Sequence, residues 1–189
     1  MTILLTVIAD GWLVLEVSLR VRDRVRAKGR TDQDRGTRAL IFGLIVAAIA
    51  VAIVLAAVTG KHSPLRIPGG WPAVAGLVIV GLGLVVRVWA IVTLGRSFRT
   101  TVEVDAGQEV VSRGPYRWVR HPSYAGILLI VTGFGLAAGT WPGLAVCAVL
   151  PAAAMLRRIR VEEAELTRVL GDPYHAYRNR TKRLIPGLW

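Results

Sequence analysis

Residues 39–58, ALIFGLIVAAIAVAIVLAAV, run for twenty positions without a charged side chain. A helix on the surface of a soluble domain shows an apolar stripe; this run is apolar all round. It is also long enough to cross the hydrocarbon core of a bilayer. Four further runs resemble it less strictly, and the predicted spans are 2–19, 39–58, 71–94, 124–138 and 141–156. The first is near the minimum length and carries Asp10 and Glu16; Glu16 is placed to reach the interface. GTWPG, 139–143, reads as a tight turn, so the last two spans form a helical hairpin. Each of the two is slightly short, which tilt or local thinning of the bilayer absorbs. The expected fold is all-α: one integral membrane domain, 1–189, with about five transmembrane helices and a C-terminal helical region.

The net charge of +12 invites a nucleic-acid reading. The placement of the charge argues against one. Of the 24 Lys and Arg residues, 21 lie in segments 20–38, 96–122 and 157–189, all flanking apolar runs. Basic segments beside spans set topology and attract anionic headgroups, so membrane lipids, not nucleic acid, are the expected partners. These segments hold eight, five and eight Lys or Arg, against two (Lys61 and Arg66) in loop 59–70. The alternation puts the N-terminus outside and the C-terminus in the cytoplasm. Arg outnumbers Lys 21 to 3, which suits a GC-rich bacterial genome and hence a bacterial inner membrane. The N-terminal run lacks a basic n-region and a cleavage site, so it is read as a span. Cys147, the single cysteine, lies inside an apolar run and reads as a small core residue.

Three places carry candidate chemistry. Arg87 lies within the third span, where an arginine costs about 2.5–3.5 kcal/mol at the centre and less near an end. Either its guanidinium snorkels to the headgroups, or it faces the bundle interior as an anion site. The second place is GPYRWVRHPSYAG, 114–126. Pro115 and Pro122 break regular helix there and push the preceding residues towards extended geometry. Irregular backbone at membrane depth is tolerated only when buried in protein or facing a cavity, and its polar groups are then available to a ligand. Pro122 and Ser123 start the fourth span, whose first N–H groups can bind an anion. The third place is RRIRVEEAELTRVLGD, 157–172. At 100° per residue Leu156, Ile159, Leu166 and Leu170 share a face with Glu163 at its middle, Glu162 at its edge and Glu165 nearly opposite. A carboxylate on an apolar stripe needs a partner, and Arg160, three residues earlier, is the expected one. Gly171 ends this helix, and the basic tail that follows, with Tyr174 and Tyr177 at helical spacing, is expected on the membrane surface. The three histidines are scattered and lack metal-ligand spacing, and there is no glycine-rich nucleotide loop or nucleophile elbow.

Taken together, GPYRWVRHPSYAG, then RVEEAEL about forty residues later, then GDPYHAYRNRTKRLIP, resemble the isoprenylcysteine carboxyl methyltransferase family, which is related to the phospholipid methyltransferases. The resemblance covers 87–186, the expected cofactor-binding and catalytic half. It implies a membrane-embedded methyltransferase that uses S-adenosylmethionine without a Rossmann fold, its cofactor site built by the cytoplasmic C-terminal region. By position, it implies that His121, Tyr124 and the backbone of Val119 and Arg120 contact the cofactor. Tyr116, Pro122 and Tyr174 complete that set, and the Glu162/Glu163 pair meets the ribose or amino group. Arg87 and Arg160 are implied to orient an acceptor carboxylate. Loop 96–113, with Phe98, resembles the connector ahead of the motif. The implied acceptor is a lipophilic molecule entering from the bilayer, such as the carboxylate of an isoprenylcysteine-like lipid. N- or S-methylation of a phospholipid amine or a small thiol, and a non-catalytic membrane scaffold, are the alternatives.

Overall fold

The computed structural model describes residues 2–26, 37–95 and 110–187. Among the described residues six α-helices occur in order: α1 (Thr2–Arg26), α2 (Thr37–Val58), α3 (Trp71–Leu94), α4 (Pro122–Ala137), α5 (Trp141–Leu170) and α6 (Asp172–Arg180). A 3-10 turn, Gly114–Arg117, precedes α4. The all-helical expectation holds: the described residues contain no strand beyond two isolated bridges, Arg66 with Thr140 and Val119 with Lys182. Loop 96–109, including Phe98, and most of the first basic segment lie outside the described residues.

Two helices, over 39–58 and 71–94, are long and apolar enough to cross a membrane by length and composition. α4 is apolar but shorter. α1 carries acidic groups, and α5 turns charged in its second half. The outer face of α3 exposes Val74, Val78, Leu82, Val85, Trp89 and Val92. The inner faces build the core, in which Val80, Ile130, Val131, Cys147, Met155 and Ile159 are fully enclosed.

α3 and α4 pack with their backbones nearly touching. A Cβ on Gly76 would stand 2.6 Å from the Gly133 carbonyl oxygen, and one on Gly83 2.8 Å from that of Gly126. Small residues at seven-residue spacing on both helices permit this approach, the usual device where apolar helices cannot rely on water to drive them together. The seam sets Arg87 of α3 directly over the first turn of α4: a Cβ on Gly126 would meet the Arg87 backbone nitrogen at 2.8 Å. α2 packs on α5, and α5 on α4. α1 approaches the others less closely and reaches them through Trp12, whose ring lies 6.3 Å from that of Phe134, and through Glu16.

The predicted hairpin turn is present, and Thr140 caps α5 by accepting from the Gly143 N–H at 3.3 Å. The α2–α3 connection lies against this turn, with Ile67 N–H to Gly139 O and Trp141 N–H to Leu65 O both at 3.0 Å. Arg66 donates to the Ala56 and Thr59 carbonyls at the end of α2. These connections share one end of the bundle. The motif and the C-terminal segments gather at the other.

The sequence separated a span at 141–156 from a following helix at 157–172. The structure has one helix of 30 residues, about 45 Å long. The onset of charge at Arg157 does not interrupt the backbone. Pro151 lies inside the helix, fully enclosed, and does not end it.

Candidate active site

Gly114, at φ +57°, turns the chain into the motif by adopting a conformation that side chains with a Cβ rarely take. The 3-10 turn buries Pro115 and Tyr116. Pro122 then starts α4, and His121 is its flanking residue, with φ −124° and ψ 54°. The N–H groups of this stretch were expected to be available to a ligand. They are taken: Val119 donates to Pro115 O at 3.3 Å, Arg120 to Lys182 O at 2.7 Å, and His121 to Arg183 O at 3.0 Å. Lys182 donates back to Trp118 O at 3.1 Å. The tail is therefore a strap paired to the motif, not a free stripe on a membrane surface. A ligand can meet Val119 and Arg120 through their carbonyls or side chains, not through these N–H groups.

Glu163 is buried, 4% exposed, and is the hub of the site. Its Oε1 accepts from Arg120 Nε at 2.8 Å and lies 3.4 Å from His121 Nε2; its Oε2 accepts from Arg183 Nε at 3.0 Å. Burial raises the Glu163 pKa, but the hydrogen bonds and charges of His121 and Arg120 outweigh it and bring the group down to about 2. The expected partner Arg160 is exposed and makes none of these contacts. Arg158, which the sequence did not single out, is buried at 4% and donates to the Tyr124 hydroxyl at 2.9 Å. That hydroxyl donates to Glu162 Oε2 at 2.7 Å, and the Tyr124 ring stacks on His121 with centroids 5.6 Å apart. The adjacent carboxylates thus have different jobs: Glu163 is locked into the scaffold, and half-buried Glu162 is aimed by Tyr124.

α6 closes the site. Tyr177 donates to Tyr116 O at 2.7 Å, and its own pKa is pushed up to about 12, mainly by burial. Arg120 Nη1 donates to the carbonyls of Arg178 and Thr181. Tyr174 is 2% exposed, and its hydroxyl is enclosed without a hydrogen-bond partner among the described residues. Burial and the carboxylates of Glu163 and Glu162 raise its pKa. An orphaned hydroxyl beside two carboxylates is costly in a finished core, and it fits a surface meant to meet a polar ligand.

Arg87 does not snorkel. It is 3% exposed and forms a two-pronged pair with Glu16 of α1, Nε to Oε1 at 3.0 Å and Nη2 to Oε2 at 3.1 Å. Nη1 donates to the Ser123 hydroxyl and carbonyl in the first turn of α4. Glu16, expected near the interface, is buried at 3%. Both residues lie in predicted spans, but nothing in the sequence pairs them. All the predicted site residues thus lie at one end of the bundle, with Arg160 on the exposed face of α5.

These features define an all-helical protein whose polar end is built from a proline-broken motif, a double carboxylate and a returning tail. The pattern of the isoprenylcysteine carboxyl methyltransferase (ICMT) family matches residues 74–168, and the chain belongs to that family. The uncharacterized protein YpbQ of Bacillus subtilis is 31% identical over 52% of this chain and 58% of its own length. Protein-S-isoprenylcysteine O-methyltransferase A of Arabidopsis thaliana is 28% identical over 76% of each chain. A solved structure of the eukaryotic intramembrane Ras methyltransferase ICMT matches with a TM-score of 0.63 and 25% identity, over 77% of this chain and 52% of that one. The chain therefore spans little more than half the length of two of these three.

Proposed function

We propose that this protein is an integral membrane methyltransferase that transfers a methyl group from S-adenosylmethionine to the carboxylate of a lipophilic, isoprenylcysteine-like acceptor. The observation that carries the reading is the closure of the motif, the double carboxylate and α6 around the orphaned Tyr174 hydroxyl and the aimed carboxylate of Glu162. This donor set suits a cationic ligand rich in hydrogen-bonding groups. Glu162, Tyr124, His121, Tyr116 and Tyr174 would hold the cofactor, with Pro122 and the Val119–Arg120 carbonyls lining it. When bound, S-adenosylmethionine supplies a methyl group activated by a sulfonium centre.

The chain's own task is placement. A carboxylate acceptor arrives already ionised, so no general base is required, and alignment provides most of the acceleration. Arg87 and Ser123, at the end of the bundle next to the motif, orient the acceptor. Arg158, not Arg160, is the α5 arginine within the site, and it acts through Tyr124. The enclosed walls keep water away from the reacting atoms.

In this reading five helices cross the inner membrane of a bacterium: α2 and α3, the shorter α4, α1, and the first half of α5. The N-terminus faces out. The active site and the C-terminus face the cytoplasm, which delivers the polar cofactor while the bilayer delivers the acceptor. The domain is single, and 87–186 is its catalytic half. Calorimetry on the detergent-purified protein is expected to show S-adenosylmethionine binding, and a folded protein that binds none overturns the reading. Labelled-methyl transfer screened against prenylcysteines, fatty acids, phospholipids and thiols is expected to favour prenylcysteines. Transfer to amines or thiols alone would replace the carboxylate assignment.

A further inference from the structure

Three side chains around the 3-10 turn take no part in the site built above. Arg113 flanks the turn, Arg117 ends it and Trp118 follows, and all three are exposed. The Trp118 ring stands edge-on to Trp89 of α3, with centroids 5.9 Å apart and planes at 71°. The Arg117 guanidinium carbon lies over the Trp118 ring, 3.8 Å from its centre. A guanidinium stacked in this way is held by its flat face, while its N–H donors point outward in its plane, ready for a phosphate or carboxylate. Among the described residues neither Arg113 nor Arg117 has a hydrogen bond or an ion pair. Trp89 continues the exposed apolar face of α3 formed by Val78, Leu82 and Val85. Gly114 seats the turn against the same end of α3: a Cβ there would meet Thr93 Oγ1 at 2.8 Å and Trp89 Nε1 at 3.4 Å.

We propose that this ledge binds the headgroup of an anionic phospholipid, and that the bound lipid braces the motif for the cofactor. The phosphate meets Arg117 and Arg113, and the acyl chains lie along α3. Charge and shape select this occupant. Two exposed cations without carboxylates stand above a pair of exposed tryptophans and an apolar helix face, an arrangement that fits a molecule with an anion at one end and hydrocarbon at the other. A free phosphate would use the arginines and leave the apolar face uncovered. The ledge is also continuous with the proposed cofactor site. The Trp118 carbonyl accepts from the Lys182 N–H at 3.1 Å, and the Lys182 carbonyl accepts from the Arg120 N–H at 2.7 Å, one residue before His121. A headgroup that fixes the turn therefore steadies the strap on the motif and strengthens cofactor binding. This rests on the membrane placement and the cofactor reading above.

The test compares the wild type with the double variant Arg113→Gln/Arg117→Gln and with Arg168→Gln/Arg180→Gln, which removes two exposed charges elsewhere at the same end. Native mass spectrometry of protein released from nanodiscs of equal phosphatidylcholine and phosphatidylglycerol reads the lipid retained. The wild type is expected to favour phosphatidylglycerol about ten-fold or more. Arg113→Gln/Arg117→Gln is expected to lose most of that preference, and Arg168→Gln/Arg180→Gln to keep it. An equal loss in both variants marks diffuse attraction to a basic surface and overturns the site. Excess glycerol 3-phosphate, which has the anion without the chains, is expected to leave the lipid in place, and its displacement of the lipid overturns the lipid assignment. Calorimetry in nanodiscs of each lipid reads the brace. S-adenosylmethionine affinity is expected to be about five-fold or more higher in phosphatidylglycerol for the wild type, and equal in the two lipids for Arg113→Gln/Arg117→Gln. Equal wild-type affinity in the two lipids overturns the brace. A folded wild type that binds no S-adenosylmethionine in either lipid defeats the cofactor reading, and with it the brace, while the retained lipid still decides the ledge.

Discussion

Glu163 and Glu16 are both buried carboxylates gripped by arginine, yet they are supported in opposite ways. Glu163 has three partners, Arg120, His121 and Arg183, drawn from the motif and the tail. Those partners are themselves tied down: Arg120 holds the Arg178 carbonyl at 3.1 Å, and the His121 N–H pairs with Arg183 O. Glu16 is held by the single fork of Arg87 and stands on a helix that touches the rest of the bundle sparingly. Removing one partner from a buried ion pair leaves an uncompensated charge that costs several kcal/mol. In the hub that cost spreads across three segments at once. At Glu16 it falls on one arginine. The difference teaches that a buried carboxylate can serve as the keystone of a site or as the adjustment of one group within it.

The largest expected effect is at the keystone. Glu163→Ala leaves three basic groups facing one another. Each charged hydrogen bond contributes about 1.5–3 kcal/mol, so S-adenosylmethionine affinity should fall at least ten-fold, with a clear drop in melting temperature. Calorimetry and thermal melts check both, and wild-type affinity would break the comparison. The second prediction sharpens it through pH. The Glu163 carboxyl has a pKa of about 2 when folded, below its ordinary value of 4.5. Its contribution to stability is therefore complete above about pH 4.5 and is lost as pH falls from there towards 2. Thermal melts across that window should decline more steeply for the wild type than for Glu163→Gln, and parallel curves would deny the hub its charge. The smallest effects separate two neighbouring arginines. Arg158→Ala removes the group behind Tyr124 and should destabilise by about 1.5–3 kcal/mol, whereas exposed Arg160→Ala should stay within about 0.5 kcal/mol. Chemical denaturation of both variants reads the contrast, and equal losses would show that Tyr124 does not depend on Arg158.

That last pair also shows where the sequence was legible. Long apolar runs announced α2 and α3, and the two prolines announced the broken motif, because both signals are local. The carboxylate of Glu163 was placed on the buried stripe by period alone. Arg158 was missed because the helix was cut where charge begins. Counted from the enclosed Met155 and Pro151, Arg158 follows by three and by seven residues and continues their stripe, whereas Arg160 lies about 140° round from Met155. The strap of 182–183 on 118–121 and the Glu16–Arg87 pair were not legible for a different reason. They join positions more than sixty residues apart in sequence, and no period within one helix records such a meeting.

The strap has a bearing on biogenesis. Residues 182 and 183 follow all six helices in the chain, and their carbonyls complete the pairing of the motif. The helices can form one after another during translation, but until the ribosome has passed Arg183 the motif at the polar end lacks its strap. A ligand that needs the closed motif can therefore be captured only after Arg183 has been synthesised.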